Sequence, residues 1–237
     1  MKGKKWYRKE DIAEEYEPKR FKGLGGKYIN YREKKSVKKA LGNIKNKKIL
    51  DVATGTGRFS IMAAEEGGNV TAGDISLPML EIAKNKAKRK DLIEELDFIK
   101  MDAENLPFRD EEFEMVMAIR FMHLVNEPQL FLKEMKRVTQ KRIIFDTFSL
   151  LSLRVLYNKM LPMGSTLYKK KDIQKIAKNL DLKVKNKIDS FTMPFGFYRY
   201  APDFTIKPIK NLDEKISKNQ LGKKLSTVNY WILEKQN

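Results

Sequence analysis

The chain has no cysteine and only one histidine in 237 residues. The first absence excludes disulfides, thiolate zinc sites, iron–sulfur clusters and any mechanism that runs through a cysteine nucleophile. The second excludes clustered histidine ligands, so no metal site is expected. No run approaches the roughly 20 apolar residues of a membrane-spanning helix. The opening, MKGKKWYRKEDIAEEYEPKR, is basic but lacks the apolar core of a secretory signal. These absences read as a cytoplasmic protein. Internal repeats and long low-complexity segments are missing too. Hydrophobic residues make up 41%, enough for one α/β core with decorations. A single domain over 1–237 is expected, with an N-terminal arm over 1–27.

Acidic residues are few beside basic ones: 31 Asp and Glu against 49 Lys and Arg, a formal net charge of +18. An excess of this size suits attraction to a polyanion such as RNA, or lysines solvated on helix faces. The basic residues are dispersed and form no long arginine-rich run, which favours the second reading.

Strands and helices alternate through the first two thirds. KKILDV, NVTAGDI, LDFIKMD, FEMVMAI and KRIIFDTF read as strands. Between them lie helical patterns, among them SLPMLEIAKNKAKRK, with Ser76 as N-cap and Pro78 in its first turn. Gly23, Gly25 and Gly26 read as breaking the arm from a first amphipathic helix that carries Ile29, Val37, Leu41 and Ile44. After the fifth strand the pattern changes. SLLSLRVLYNKMLPMGSTLY is an apolar, basic helical segment closed by Pro162 and Gly164, and 149–168 reads as a lid-like insertion. A helix, a strand and an irregular aromatic stretch, FTMPFGFYRYAPDF, follow, and TVNYWILEKQ is a final strand. Such alternation implies a parallel sheet with helices on both faces, and ligands bind such sheets at the carboxyl ends of the strands, where strand order reverses.

The stretch ILDVATGTGRFS, residues 49–60, puts a glycine loop at that place. Gly55 and Gly57 permit a tight turn and close approach of backbone to a ligand, and the helix that follows offers unpaired N–H groups. A dinucleotide fingerprint would need a third glycine where Ser60 stands, and the G-K-[ST] ending of a phosphate-gripping loop is absent. Asp51, Asp74 and Asp102 end three successive strands. Carboxylates around one crevice repel a pyrophosphate but suit ribose, adenine and a positive centre. S-adenosylmethionine has that combination.

On these residues the sequence resembles the class I S-adenosylmethionine-dependent methyltransferases, and within them the small single-domain group that includes the ubiquinone/menaquinone C-methyltransferases. The family's first motif, D-x-G/A-x-G-x-G, reads here as Asp51, Ala53, Gly55 and Gly57. Its D-A-x-x-L-P-F segment reads as Asp102, Ala103, Leu106, Pro107 and Phe108. Glu114 stands where aspartate is usual, and RVTQKRIIF lacks the usual proline-glycine-glycine turn. The resemblance covers 47–148 and implies a Rossmann-like, doubly wound, seven-stranded sheet with an antiparallel last strand. By the resemblance, the backbone from Ala53 through Thr54 and Gly55 to Gly57 would cradle the methionine part of the donor, with Asp51 supporting its ammonium. Asp74, followed by Ile75, would take the ribose hydroxyls, and Asp102 and Ala103 the adenine. Arg120 and Phe121 would lie beside the donor.

Methyl transfer is a displacement that needs alignment, exclusion of water and, for some acceptors, a base. His123, just past the fourth strand, reads as that base, with a suitable pKa, or as a structural histidine. Tyr28 and Tyr31 read as covering the donor or as helix packing. The aromatic stretch with Phe195, Phe197, Tyr198, Arg199 and Tyr200 reads as a base-stacking surface, a small-molecule pocket or packing. No N-P-P-[YF] motif of nucleic-acid amino-methylating enzymes follows the fourth strand. The sequence therefore favours a methyltransferase acting on a small or lipid-like acceptor. RNA as acceptor is the alternative, and a catalytically idle donor-binding regulatory module a further one. A nicotinamide-dependent oxidoreductase is disfavoured by the missing third glycine.

Overall fold

The computed structural model describes residues 9–160 and 165–236. Its centre is a single sheet. Five parallel strands come first: β1 (Lys48–Val52), β2 (Asn69–Asp74), β3 (Leu96–Lys100), β4 (Phe113–Ala118) and β5 (Thr139–Ser149). A two-residue β6 (Leu167–Tyr168) runs beside the end of β5. The later strands are β7 (Leu182–Ser190) and β8 (Val228–Lys235). The order across the sheet is β3-β2-β1-β4-β5-β8-β7, and β8 lies antiparallel between β5 and β7. This is the doubly wound arrangement expected from the sequence, seven strands across, with β6 an addition at one strand end.

The helices are α1 (Glu10–Arg20), α2 (Gly23–Leu41), α3 (Arg58–Glu65), α4 (Leu77–Lys88) and α5 (Pro128–Val138). They continue with α6 (Arg154–Met160), α7 (Lys170–Asn179), α8 (Phe195–Tyr200), α9 (Asp203–Lys218) and α10 (Gln220–Lys224). Strand alternation sends Ile49 of β1 into the core that holds Val37 and Leu41 of α2 and Ile61 and Met62 of α3. It sends Leu50 and Val52 to the opposite core, against α5 and α7. In α5, Phe131, Leu132, Met135 and Val138 recur at helical spacing and are fully buried, each contributing about 1.5–3 kcal/mol of burial. Ser76 caps α4 as read, accepting the Met79 N–H.

Three sequence expectations change. Gly25 and Gly26 lie inside α2 and do not break it. A Cβ on Gly25 would stand 1.8 Å from the carbonyl oxygen of Tyr198, so glycine is what lets α2 and α8 touch. The aromatic stretch is partly helical, as α8. Beyond it, α9 forms despite Pro208 inside it. Ile206, Ile209, Asp213 and Ile216 recur at helical spacing on the inward face, and that packing outweighs the lost hydrogen bond. Of the lid-like 149–168, α6 and β6 are described, while Pro162 and Gly164 lie outside the described residues, as does the start of the arm.

Candidate active site

Strand order reverses between β1 and β4, and a crevice of about 360 Å³ opens where those strands end. That volume lies in the range of small-molecule sites. Ala53 and Gly55 line it from the loop after β1, Asp74 and Ile75 from the end of β2, and Asp102 and Ala103 from just beyond β3. Arg120, Phe121 and His123 line it from beyond β4. Met79, Met101, Leu124 and Val125 supply apolar wall. Most of the residues singled out from sequence therefore meet in one place.

The loop backbone is bent toward the crevice. Ala53 (φ 60°) and Arg120 (φ 65°) both occupy the left-handed region that non-glycine residues rarely adopt. Each follows one of the two strands that flank the switch point, where such conformations gather at functional sites. The two loop glycines differ in what they do. A Cβ on Gly55 would meet nothing within 4 Å, so its missing side chain leaves open space beside the crevice. A Cβ on Gly57 would stand 2.8 Å from the Ala83 Cβ, so Gly57 lets α3 start against α4.

The acids also separate. Asp74 accepts the Gly55 N–H at 2.8 Å and the Ser76 N–H at 2.9 Å, which ties the glycine loop to the end of β2. Burial raises its pKa against those backbone donors. Asp102, two residues past β3, accepts the Glu104 N–H at 3.0 Å. Asp51 is not part of the lining. Its buried carboxylate accepts from the Thr54 hydroxyl at 2.9 Å and from Ser60, and burial pushes its pKa up to about 7. Thr54 and Gly57 likewise stand behind the crevice wall. Ser60, read from sequence only as a missing glycine, is what fixes Asp51.

His123 lines the crevice but does not have a base's ordinary pKa. Burial, then Arg120, Arg154 and Arg20, hold it well below 6.5, so the ring is neutral at pH 7. Tyr28 is buried against Phe191 and Tyr198, and Tyr31 is exposed; neither lines the crevice. Tyr16 and Arg20 of α1 do, and sequence reasoning missed them. The only signal was an aromatic and a base four residues apart in the arm. The helix is fastened over the glycine loop by Glu17, which accepts from the Thr56 hydroxyl and, at 2.6 Å, from Lys86. Lys86 also donates to the Thr56 carbonyl at 2.9 Å. Behind the crevice, Glu33 of α2 accepts from Arg58 at 2.9 Å and lies 3.2 Å from Arg120 Nε. Burial works against its ionisation, but the two guanidiniums hold its pKa below the ordinary value.

Residues 50–145 match the methyltransferase domain family. The demethylmenaquinone methyltransferase of Renibacterium salmoninarum is 39% identical over 109 residues, 46% of this chain and 44% of that protein. The ubiquinone/menaquinone biosynthesis C-methyltransferase UbiE of Xanthomonas oryzae is 33% identical over 94 residues, 38% of this chain and 37% of that protein. The chain thus matches less than half the length of these curated relatives. Among solved structures, magnesium protoporphyrin IX methyltransferase from Synechocystis, with bound S-adenosylhomocysteine, superimposes with a TM-score of 0.64. It is 18% identical, and the match covers 88% of this chain and 84% of that one; the likeness is one of fold. Residues 50–145 are thus similar to methyltransferase domains, and the fold is one shared with solved methyltransferases. The likeness to the quinone C-methyltransferases extends over less than half of this chain.

Proposed function

We propose that this protein binds S-adenosylmethionine in the crevice and transfers its methyl group by direct displacement to a small or lipid-like acceptor. The observation that carries the reading is the pairing of two strand-end carboxylates, Asp74 and Asp102, with the open space at Gly55 in one crevice. The carboxylate of Asp74 suits vicinal ribose hydroxyls. Asp102 and Ala103, against Met79 and Met101, suit an adenine edge and face. The Ala53–Gly57 backbone suits the methionine part, with Asp51 steadying the loop from behind. S-adenosylmethionine supplies an electrophilic methyl when bound, and this chain supplies alignment and a water-poor enclosure. Neutral His123 is placed to take a proton from the acceptor. The names of the quinone methyltransferase relatives support an aromatic acceptor and make demethylmenaquinone a first compound to try.

Titration calorimetry with S-adenosylhomocysteine and with NAD tests the donor. Binding of the first alone is expected; binding of NAD alone would overturn the reading. Once an acceptor is found, His123→Asn is expected to lower turnover about a hundredfold or more, the usual loss for a general base, with S-adenosylhomocysteine affinity unchanged. Unaltered turnover would make His123 a packing residue. Binding of RNA that competes with the small acceptor would move the reading to an RNA methyltransferase.

A further inference from the structure

The crevice is acidic where β2 and β3 end and basic where β4 ends, with Arg120 there and Arg20 entering from α1. Behind the lining at that end two buried rings, Phe148 and Phe195, meet edge-on with centroids 6.2 Å apart, and the arginines stacked on them, apart from Arg120, stand outside the lining. The Arg120 guanidinium lies 4.5 Å from the Phe148 centroid and 4.6 Å from that of Phe195. Arg154 of α6 stands 3.4 Å over Phe148, and Arg199 of α8 lies 5.9 Å from the Phe195 centroid. His123 packs on Phe148 at 4.9 Å. Arg20 enters the same crevice from α1, over the Tyr16 ring at 4.1 Å.

The carboxylates nearby are ion-paired, although Glu33 Oε1 makes no hydrogen bond among the described residues. Glu33 serves Arg58 and Arg120, and Asp146 of β5 accepts the Arg120 backbone N–H. Arg120 Nη1 lies 3.9 Å from Asp146, too far for a hydrogen bond. Arg120 Nη1 and Arg199 Nε are buried donors with no acceptor among the described residues. Among the same residues Arg20 has a ring contact but no carboxylate partner. Burial, then Arg20 and Arg120, push Arg199 down to about 10 against the pull of Glu33. Buried cationic donors without acceptors are costly unless something else accepts from them. Guanidinium groups in such a setting match the planar or tetrahedral oxyanion.

We propose that the basic end of the crevice binds an oxyanion of the methyl acceptor, a carboxylate or phosphate group, with Arg120 as the donor in the lining, Arg199 joining it from behind the lining and Arg20 closing over it from α1. The inference rests on the transferase reading above and narrows its acceptor to an anionic small molecule. His123 then has a substrate-dependent role. Burial is the larger cause of the low His123 pKa and stays in place; an anion among the guanidiniums offsets only the part that Arg120, Arg154 and Arg20 add, so the ring becomes a better proton acceptor once the acceptor is seated.

His123 is the only histidine in the chain, so protein prepared without a histidine tag reports on this site with one imidazole signal. Calorimetry with S-adenosylhomocysteine comes first; absence of binding there removes the transferase reading, and this proposal with it, before any anion is added. With S-adenosylhomocysteine saturating, inorganic phosphate and benzoate are titrated while the imidazole resonance is followed by NMR. The expected result is a saturable shift, with the titration midpoint of His123 raised by about one pH unit. In Arg199→Leu the anion affinity is expected to fall about tenfold or more, with S-adenosylhomocysteine affinity retained. Arg199→Lys, which keeps the charge, is expected to fall between. The stronger of the two probes tells phosphate from carboxylate as the preferred group. No saturable shift, or the same shift in Arg199→Leu, would overturn the proposal. Displacement of S-adenosylhomocysteine by the anion would also overturn it, by assigning the arginines to the donor's own carboxylate.

Discussion

Asp51 ends up behind the crevice, closed in by the Thr54 and Ser60 hydroxyls. Its pKa is pushed up to about 7 by burial; Ser60 and Thr54 oppose the rise, and the Asp74 charge adds to it. The ordinary value is 3.8. Between about pH 4 and 7 the folded protein thus holds a proton that the unfolded chain has released. Stability therefore falls as pH rises through that window, by up to about 1.4 kcal/mol per pH unit, and levels off above it. Asp146, pushed up to about 6 by burial against Arg120, acts in the same sense over the lower part. Asp51→Asn cannot release a proton. Urea unfolding from pH 5 to 7 is expected to show a shallower loss of stability in Asp51→Asn than in the parent. Equal slopes would show that another group carries the dependence. The sequence made Asp51, Asp74 and Asp102 look equivalent, since each lies at or near a strand end. Only their surroundings separate them, and Ser60, which sets those of Asp51, lies beyond the glycine loop, in the first turn of α3.

The glycine loop gives the sharpest separation at the level of elements. Gly55 has φ 56° and Gly57 φ 75°, so an alanine at either position carries the left-handed penalty, about 1–2 kcal/mol. Gly57→Ala adds a collision with Ala83, where α3 meets α4; overpacking of this kind costs about 1–3 kcal/mol more. Gly55→Ala adds none, but its methyl group projects into the space that the donor needs. Gly55→Ala is expected to lower the urea midpoint by no more than that left-handed penalty and to lose S-adenosylhomocysteine binding. Gly57→Ala is expected to lose stability first. Reversed outcomes would exchange the two roles. The strands and α3, α4, α5 and α7 were legible because apolar periodicity and caps agree there. The glycines at 25 and 26 were misread, because only α8, about 170 residues later, explains why α2 needs them. Tyr16 and Arg20 were missed for the same reason: nothing local in the arm says that Glu17 fastens α1 over Thr56.

Taken whole, the molecule divides its labour along the sheet. Residues from the loop after β1 to Glu104 line the proposed donor end of the crevice, and those just past β4, with Tyr16 and Arg20 of α1, line the basic end. The sheet itself resists such division, because its last strand in sequence is internal in space. β8 pairs with β5 from Phe148 to Arg142 and with β7 along its whole length. Val228, Tyr230, Trp231 and Leu233 are buried, and the Trp231 indole N–H donates to Thr147 at 2.8 Å. Phe145, beside Trp231 in the sheet, belongs to the same core as α5, and Phe148, beside Val228, carries the guanidiniums of Arg120 and Arg154. Without β8, one long edge of β5 would present unpaired backbone groups and bare apolar side chains, and β7 would have no neighbour in the sheet. Deletion of residues 226–237 is therefore expected to abolish the cooperative thermal transition as well as acceptor binding. Saturating S-adenosylhomocysteine is not expected to restore it, because none of the residues proposed to hold that ligand lies on β7 or β8. A deletion variant that still melted cooperatively and bound S-adenosylhomocysteine would show that the donor half folds on its own.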